Sequence, residues 1–214
     1  LLTHMPKNPY CPICTWAKTL QQQQRKKSNK AYVKPKPYSE PTSFGGLCTM
    51  DHWFAADELS AGLYGEKACV TLRDRFTKFL AAGPVHDKTT KGVTDFLVNL
   101  RTPAETIAYV YSDGAGELKK ACTELNIAHD STQPANKKQN SVAERANAIV
   151  QDGARSLLMS AGIPPQYWVY AVPYFCLCLN AQPGEDGESP WKARFGEPFT
   201  SPLIPFGSAV RYLP

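Results

Sequence analysis

The chain has 214 residues, of which 43% are hydrophobic, and it carries a formal net charge of +5 at neutral pH. This length and composition are typical of a globular chain that buries one sizeable core with flanking pieces. The absence of an 18-residue apolar run excludes a transmembrane helix, and the first residues lack the features of a signal peptide. We therefore expect a protein that is not secreted. Because the chain begins with Leu1 and ends on Pro214 without an obvious terminus, we also expect a piece of a longer polyprotein.

The positive charge is concentrated in the first 39 residues, which contain eight lysine and arginine residues and no acidic residue. We predict a basic linker over residues 19–42, because this stretch is polar, bears prolines and has little hydrophobic pattern. Its Arg25, Lys26 and Lys27 would bind DNA phosphates by releasing counterions. A solubilising linker and a nuclear-localisation run are the alternatives.

A C-x-x-C pair, Cys11 and Cys14, precedes the linker, and His4 lies shortly before it. This spacing is typical of one half of a tetrahedral zinc site, which needs two further Cys or His ligands. His4 would supply one of them. The seven cysteines are odd in number and are scattered except for this pair and Cys176/Cys178, which favours a reducing compartment over a disulfide framework.

Strand-like segments begin at residue 44. A mostly apolar run over 44–56 contains Asp51, which is costly in a buried strand unless it is paired or binds a cation. Residues 66–74 and 75–85 follow as a predicted hairpin. Asp51 is therefore the first indication of a functional site.

The next elements alternate between helix and strand. We predict a helix over 87–101, a strand over 106–112, a helix over 117–125 and a strand over 126–129. This order indicates an α/β sandwich with a mixed sheet. Asp113 directly follows the second of these segments, where sites of α/β sheets are commonly built. Its alternative roles are a turn former or the N-cap of the next helix.

A long helix is predicted over 139–161, with Glu144 in its first turn. Its apolar stripe at helical spacing consists of Val142, Ala146, Ile149, Val150, Gly153, Leu157 and Leu158. Ser141 and Glu144 also fit a capping box, in which both residues would only satisfy backbone N–H groups. Further along, we interpret Cys176 and Cys178 as core thiols of an apolar helix.

The setting of Asp51, Asp113 and Glu144 resembles the D,D,E triad of retroviral and retrotransposon integrases. YSDGAGEL is similar to the family's SDNGxEF, and HDSTQPANKKQNSVAERANAIV is similar to its HxxSxPxxPQxNGxxERxNxxL. The segments RDRFTKF and ESPWKARFGEPFTSPLIPFGSAVRYLP are similar to copia-type members of the family. The resemblance covers nearly the whole chain.

This resemblance implies a ribonuclease-H-like fold, with a mixed five-stranded sheet flanked by helices. It implies a catalytic core over residues 43–182 and a C-terminal extension of that core over 183–214. Residues 1–18 would be the end of the family's zinc-binding module, and the basic linker would join them to the core.

The implied activity is that of a polynucleotidyl transferase that inserts element DNA into host DNA, with possible trimming of the 3′ ends. Two Mg²⁺ or Mn²⁺ ions would be held by Asp51, which would bridge both, and by Asp113 and Glu144, which would hold one each. The expected partners are element ends, target DNA and further copies of the chain, and no membrane. The expected location is the nucleus or a cytoplasmic virus-like particle.

Two alternatives from other classes stay open, a binding module that has lost catalysis and a nuclease that cuts without joining. In the integrase interpretation, a set of polar residues on and before the long helix would position DNA phosphates. These residues are Lys137, Lys138, Gln139, Asn140, Arg145, Gln151 and Arg155. The alternative for each is a solvated polar side chain.

Overall fold

The computed structural model describes residues 3–17, 40–55, 60–131, 141–184 and 187–211. Its sheet has the order β3-β2-β1-β4-β5. The strands are β1 (Cys48–Phe54), β2 (Ala68–Asp74), β3 (Leu80–Val85), β4 (Tyr109–Ser112) and β5 (Ala128–Ser131). The helices are α1 (Pro12–Ala17), α2 (Thr90–Leu100), α3 (Gly116–Glu124), α4 (Ser141–Ala161), α5 (Trp168–Ala181) and α6 (Pro190–Phe195). The predicted mixed five-stranded sheet is confirmed.

Strand β2 runs against the other four strands. It pairs antiparallel with both β1 and β3, whereas β1 pairs parallel with β4, and β4 with β5. Strands β1, β3, β4 and β5 therefore all finish at one edge of the sheet, which we call the carboxyl edge. The opposite edge, where β1 begins and β2 ends, is called the closed end.

Helices cover both faces of the sheet. Helices α2 and α3 pack on one face around Met50, Val70 and Leu97, and α4 and α5 pack on the other around Val150 and Phe175. Because side chains alternate along a strand, β1 sends Met50 and His52 to the first face and Asp51 and Trp53 to the second. The catalytic candidate Asp51 thus lies under α4.

Helix α4 approaches α5 closely. A Cβ atom on Gly153 would lie only 2.2 Å from the Phe175 ring, so this position of α4 accepts no side chain. Most of the predicted apolar stripe of α4 is buried, while Val142 and Ile149 are partly buried. Cys176 and Cys178 of α5 are buried, as predicted for core thiols.

The start of α4 leaves the capping-box alternative as a prediction. The helix begins at Ser141 and has Glu144 in its first turn. Helix α2 has a side-chain cap, because Thr89 Oγ1 accepts a hydrogen bond from the backbone N–H of Gly92 at 3.2 Å.

The C-terminal segment packs against the closed end through Arg194. The Arg194 side chain is 2% exposed and pairs with Glu105, with Nη2 2.8 Å from Oε2. Its guanidinium lies over the rings of Phe44 and Phe79, at 3.9 and 4.3 Å from their centroids. The extension is thus attached to the core, and the domain boundary at residue 183 stays a prediction.

Asp74 occupies the same end of the sheet and is fully buried. Its carboxylate accepts hydrogen bonds from the backbone N–H groups of Gly45 and Thr77, at 3.0 and 2.7 Å, and from the Thr77 hydroxyl at 2.7 Å. The Cys48 thiol adds a longer contact at 3.7 Å. This acid closes the turn between β2 and β3.

None of the helices within the described ranges combines the length and the apolar character that a membrane span requires.

Candidate active site

Parallel pairing of β1 and β4 brings two of the predicted acids together. Met50 of β1 lies opposite Ser112 of β4, so the next residue on each strand, Asp51 and Asp113, reaches the same place at the carboxyl edge. The two aspartates are 62 positions apart in the sequence (113 minus 51) and meet because the crossover through α2 returns the chain beside β1.

Helix α4 brings the third acid over β1. Asn147, which is buried, donates from Nδ2 to Asp51 Oδ2 at 3.1 Å and lies 3.5 Å from the His52 carbonyl oxygen. Glu144 lies three residues earlier, which places it on the same side of the helix, close to Asp51. The backbone N–H of His52 donates to Asp51 Oδ1 at 2.8 Å.

The charges of Asp113 and Glu144 act on the carboxyl group of Asp51. Burial, which is the largest cause, and the negative charges of Asp113 and Glu144 together raise the pKa of Asp51 to about 6. The hydrogen bond from the His52 N–H and the positive charge of Lys88 act in the opposite direction. Such mutual repulsion between carboxylates is relieved when a divalent cation binds between them.

The three acids are spread more widely than the ligand atoms of the N-terminal cluster. Among the described residues, the one group of three His, Cys, Asp or Glu whose ligand atoms all lie within 4.8 Å of one another is His4, Cys11 and Cys14.

Asp113 forms a turn but does not cap α3. Its Oδ1 accepts a hydrogen bond from the Ala115 N–H at 3.2 Å, whereas the N-cap of α3 is Ala115, which has no side-chain cap. Ser112 supports this turn, because its hydroxyl donates to the Asp113 carbonyl at 2.7 Å and lies 2.8 Å from His129 Nε2.

A second cluster of charged groups lies on the other face of β1 and was missed in the sequence. His52 Nδ1 is 3.6 Å from Glu117 Oε1, and Lys88 Nζ is 3.2 Å from the same oxygen. Neither ring nitrogen of His52 has a hydrogen-bond partner among the described residues, and burial lowers the pKa of His52. Lys88 follows the end of β3, and this position at a strand end was the available signal.

The predicted zinc ligands converge. His4 Nδ1 lies 3.7 Å from Cys11 Sγ and 3.4 Å from Cys14 Sγ. The backbone N–H of Cys14 lowers the pKa of Cys11, which favours the thiolate that zinc requires. The described residues place no fourth His, Cys, Asp or Glu in this group.

The predicted DNA-binding residues fall in different surroundings. Arg145 is exposed on α4, and Gln151 is partly buried two turns after Glu144. Arg155 Nη1 donates to the Ala17 carbonyl at 2.6 Å and to Asp152 Oδ1 at 3.1 Å. The remaining residues lie outside the described ranges, namely Arg25, Lys26, Lys27, Lys137, Lys138, Gln139 and Asn140.

Comparisons with known proteins agree with this fold. Over 77 residues the chain is 34% identical to the retrovirus-related Pol polyprotein from transposon TNT 1-94 of Nicotiana tabacum, covering 34% of this chain and 6% of that polyprotein. Over 135 residues it is 27% identical to the Pol polyprotein from transposon RE2 of Arabidopsis thaliana, covering 58% of this chain and 9% of the relative. The chain thus spans less than a tenth of the length of these curated relatives.

One solved structure with a similar fold is the HTLV-2 integrase catalytic core domain, determined in complex with magnesium in a trimeric form. The TM-score is 0.52 at 14% identity, over 69% of this chain and 95% of that one. No profile of a known protein family matches the chain. The chain is therefore a sequence relative of the retrotransposon Pol polyproteins, and it has the ribonuclease-H-like fold of the integrase catalytic cores that its motifs resemble.

Proposed function

We propose that this chain is the catalytic core of a retrotransposon integrase, which joins the 3′ ends of element DNA to host DNA. The observation that carries the proposal is the meeting of Asp51, Asp113 and Glu144 at the carboxyl edge of a ribonuclease-H-like sheet. Kinship with Pol polyproteins supports integration over other reactions carried out on this fold.

The donor set at this edge fits Mg²⁺ or Mn²⁺, because both ions prefer carboxylate oxygens. Asp51 would hold two ions, and Asp113 and Glu144 would hold one each. When bound, the ions would polarise the phosphate and stabilise charge on the attacking and leaving oxygens. Burial of Asp51 and repulsion from Asp113 and Glu144 both raise the pKa of Asp51, and the repulsion favours such binding.

The chain's own residues keep the acids in place. Asn147 connects α4 to β1 by donating to Asp51, which holds Glu144 of the same helix beside the sheet. The hydrogen bonds of Ser112 hold the end of β4 and with it Asp113. The resemblance assigns the nucleophile to a DNA 3′-hydroxyl in joining and to water in end trimming, so the protein supplies alignment.

DNA would lie across the start of α4. Arg145 is exposed directly after Glu144, and Gln151 is on the same side of the helix, so both are suited to contact phosphates. The basic linker and the residues before α4 would extend this surface.

Joining two element ends requires more than one active site, which supports a homo-oligomer. All seven cysteines are free thiols, consistent with the nucleus or a cytoplasmic particle.

The N-terminal cluster fits zinc. Two thiolates and an imidazole are a common zinc donor set, and the contacts of His4 with both sulfur atoms already bring the three ligands together. We assign this cluster a structural role, since α1 packs on α4 about three turns beyond Glu144, through Arg155 and the Ala17 carbonyl.

The test is strand transfer of a labelled terminal-repeat oligonucleotide with Mn²⁺. We expect joined products from the wild type and from Glu124→Gln, an exposed control on α3, and none from Glu144→Gln. Cleaved but unjoined DNA would indicate a nuclease instead. No product at all, together with no rise in melting temperature on adding Mn²⁺, would indicate a binding module without catalysis.

A further inference from the structure

Lys88 lies at the same edge of the sheet as the three acids. Strand β3 ends at Val85, and Lys88 precedes Thr89, the N-cap of α2. Since β3 runs in the same direction as β1 and β4, the turn that carries Lys88 emerges where those strands finish. The resemblance to the integrase family assigned no role to this residue.

Glu117 holds the Lys88 ammonium without using up its donors. Lys88 Nζ lies 3.2 Å from Glu117 Oε1 and 5.7 Å from the centroid of the Phe54 ring. The buried Oε1 atom has no hydrogen-bond partner in the described part of the chain, so this contact is an ion pair without hydrogen-bond geometry. An ammonium has three N–H donors, and the Lys88 side chain is 43% exposed.

The charge of Lys88 also reaches the acid site. It lowers the pKa of Asp51, against the effects of burial, Asp113 and Glu144, and it lowers the pKa of His52. A cation that acts on the central acid from the rim of the site lies within reach of whatever strand those acids bind.

We propose that Lys88 binds a backbone phosphate of the DNA strand that enters the acid site, and that Glu117 is the residue that positions its ammonium. This inference rests on the proposed function, which supplies the strand. Lysine binds phosphate as a compact point charge, and the partial exposure of Lys88 leaves its donors accessible to a phosphate oxygen.

A purely structural role is the competing explanation. In that case Lys88 would only neutralise the buried carboxylate of Glu117. Lys91, three positions later, provides a matched control. It is 83% exposed and pairs with Asp95 on the outer surface of α2, so it has the same charge and a similar ion pair.

The first measurement is the salt dependence of DNA binding by the full chain, with the labelled terminal-repeat duplex as probe. Each phosphate contact contributes roughly 0.9 to the slope of log affinity against log salt concentration. We expect Lys88→Ala to make this negative slope shallower by about 0.9, the contribution of one phosphate contact. Lys88→Arg and Lys91→Ala should keep the wild-type slope. A lower melting temperature of Lys88→Ala with an unchanged slope would establish the structural role and overturn the proposal.

The second measurement locates the phosphate. Methylphosphonate, which is uncharged, replaces one phosphate at a time near the joined end. We expect one position at which this replacement weakens DNA binding by the wild type but not by Lys88→Ala, because the effects of removing two partners of the same contact are not additive. An equal loss of DNA affinity in both proteins at every position would overturn the assignment.

These readouts separate the two proposals. Binding needs no chemistry, so a Lys88-dependent slope in a protein that joins no DNA would refute the integrase and retain the phosphate contact. Joined products from the wild type, with slopes that do not depend on Lys88, would retain the integrase and refute the contact.

Discussion

The two ends of the sheet treat buried charge in opposite ways. At the closed end, Asp74 accepts three close hydrogen bonds, and Arg194 pairs with Glu105 while its guanidinium is covered by aromatic rings. At the carboxyl edge, burial, together with the charges of the neighbouring acids Asp113 and Glu144, raises the pKa of Asp51 to about 6.

The difference teaches how to separate structural from functional acids in this fold. A buried carboxylate whose oxygens are saturated by nearby N–H and O–H groups stabilises a turn and offers nothing to a ligand. A carboxylate placed beside other carboxylates is unfavourable until a cation arrives, so stability has been given up there for binding. Substitutions at the two ends should therefore have opposite signatures.

The largest effect is expected for Asp51→Asn. Loss of the proposed bridging metal ligand should reduce strand transfer by roughly 10⁴-fold, the scale seen when a principal catalytic group is removed. The fold should persist, because the amide can still accept from the His52 N–H. Joining assays with Mn²⁺, together with circular dichroism, check both statements, and a variant with wild-type joining would refute the site.

At the closed end, Asp74→Ala should destabilise the protein by about 3–5 kcal/mol, because it leaves buried donors of Gly45 and Thr77 without an acceptor. Urea unfolding measures this, with Asp95→Ala as the exposed control. If the substitution changed the free energy of unfolding by less than about 1 kcal/mol, Asp74 would contribute no more than an ordinary surface acid.

The pH dependence of stability should reveal the raised pKa of Asp51, which burial and the neighbouring acids cause. Its pKa in the folded protein is about 6, against an ordinary value of 3.8. The folded state therefore holds the proton more tightly, and this contribution, up to about 3 kcal/mol, is present below pH 4 and lost as pH rises through 6.

We accordingly expect wild type, freed of metal with EDTA, to lose stability relative to Asp51→Asn between pH 4 and 6 in urea titrations. Adding Mn²⁺ at pH 7 should restore the stability of the wild type and should not change that of Asp51→Asn. A difference between the two proteins that does not change with pH would contradict the assignment of this pKa to Asp51.

The smallest effect should separate two arginines of α4. Arg155→Ala should lower stability by about 1 kcal/mol and reduce the rise in melting temperature expected with Zn²⁺, because its bond to the Ala17 carbonyl joins the proposed zinc cluster to α4. Arg145→Ala, on an exposed position, should leave both unchanged and weaken DNA binding. Titrations of both variants with zinc and with DNA test this prediction. If Arg145→Ala reduced the effect of zinc and Arg155→Ala weakened DNA binding, the two roles would have to be exchanged.

Much of the fold could be predicted along the chain. The hairpin, α2, α3 and α4 follow hydrophobic period and breaker residues, which are local properties, and their bounds agree to within a few residues. The strand predicted over 106–112 is shorter, at Tyr109–Ser112, since only its last part pairs with β1 and β5. Asp51 was recognisable as a site residue because a charge inside an apolar run needs a reason.

Other features were decided only in three dimensions. The role of Asn147 as a donor to Asp51, the cluster of His52, Glu117 and Lys88, and the contact of Arg155 with Ala17 all join segments distant in sequence. Local pattern identifies which element a residue belongs to. The reversal of β2 and the crossovers through α2 and α3 determine which strand ends share an edge, and therefore which charges meet.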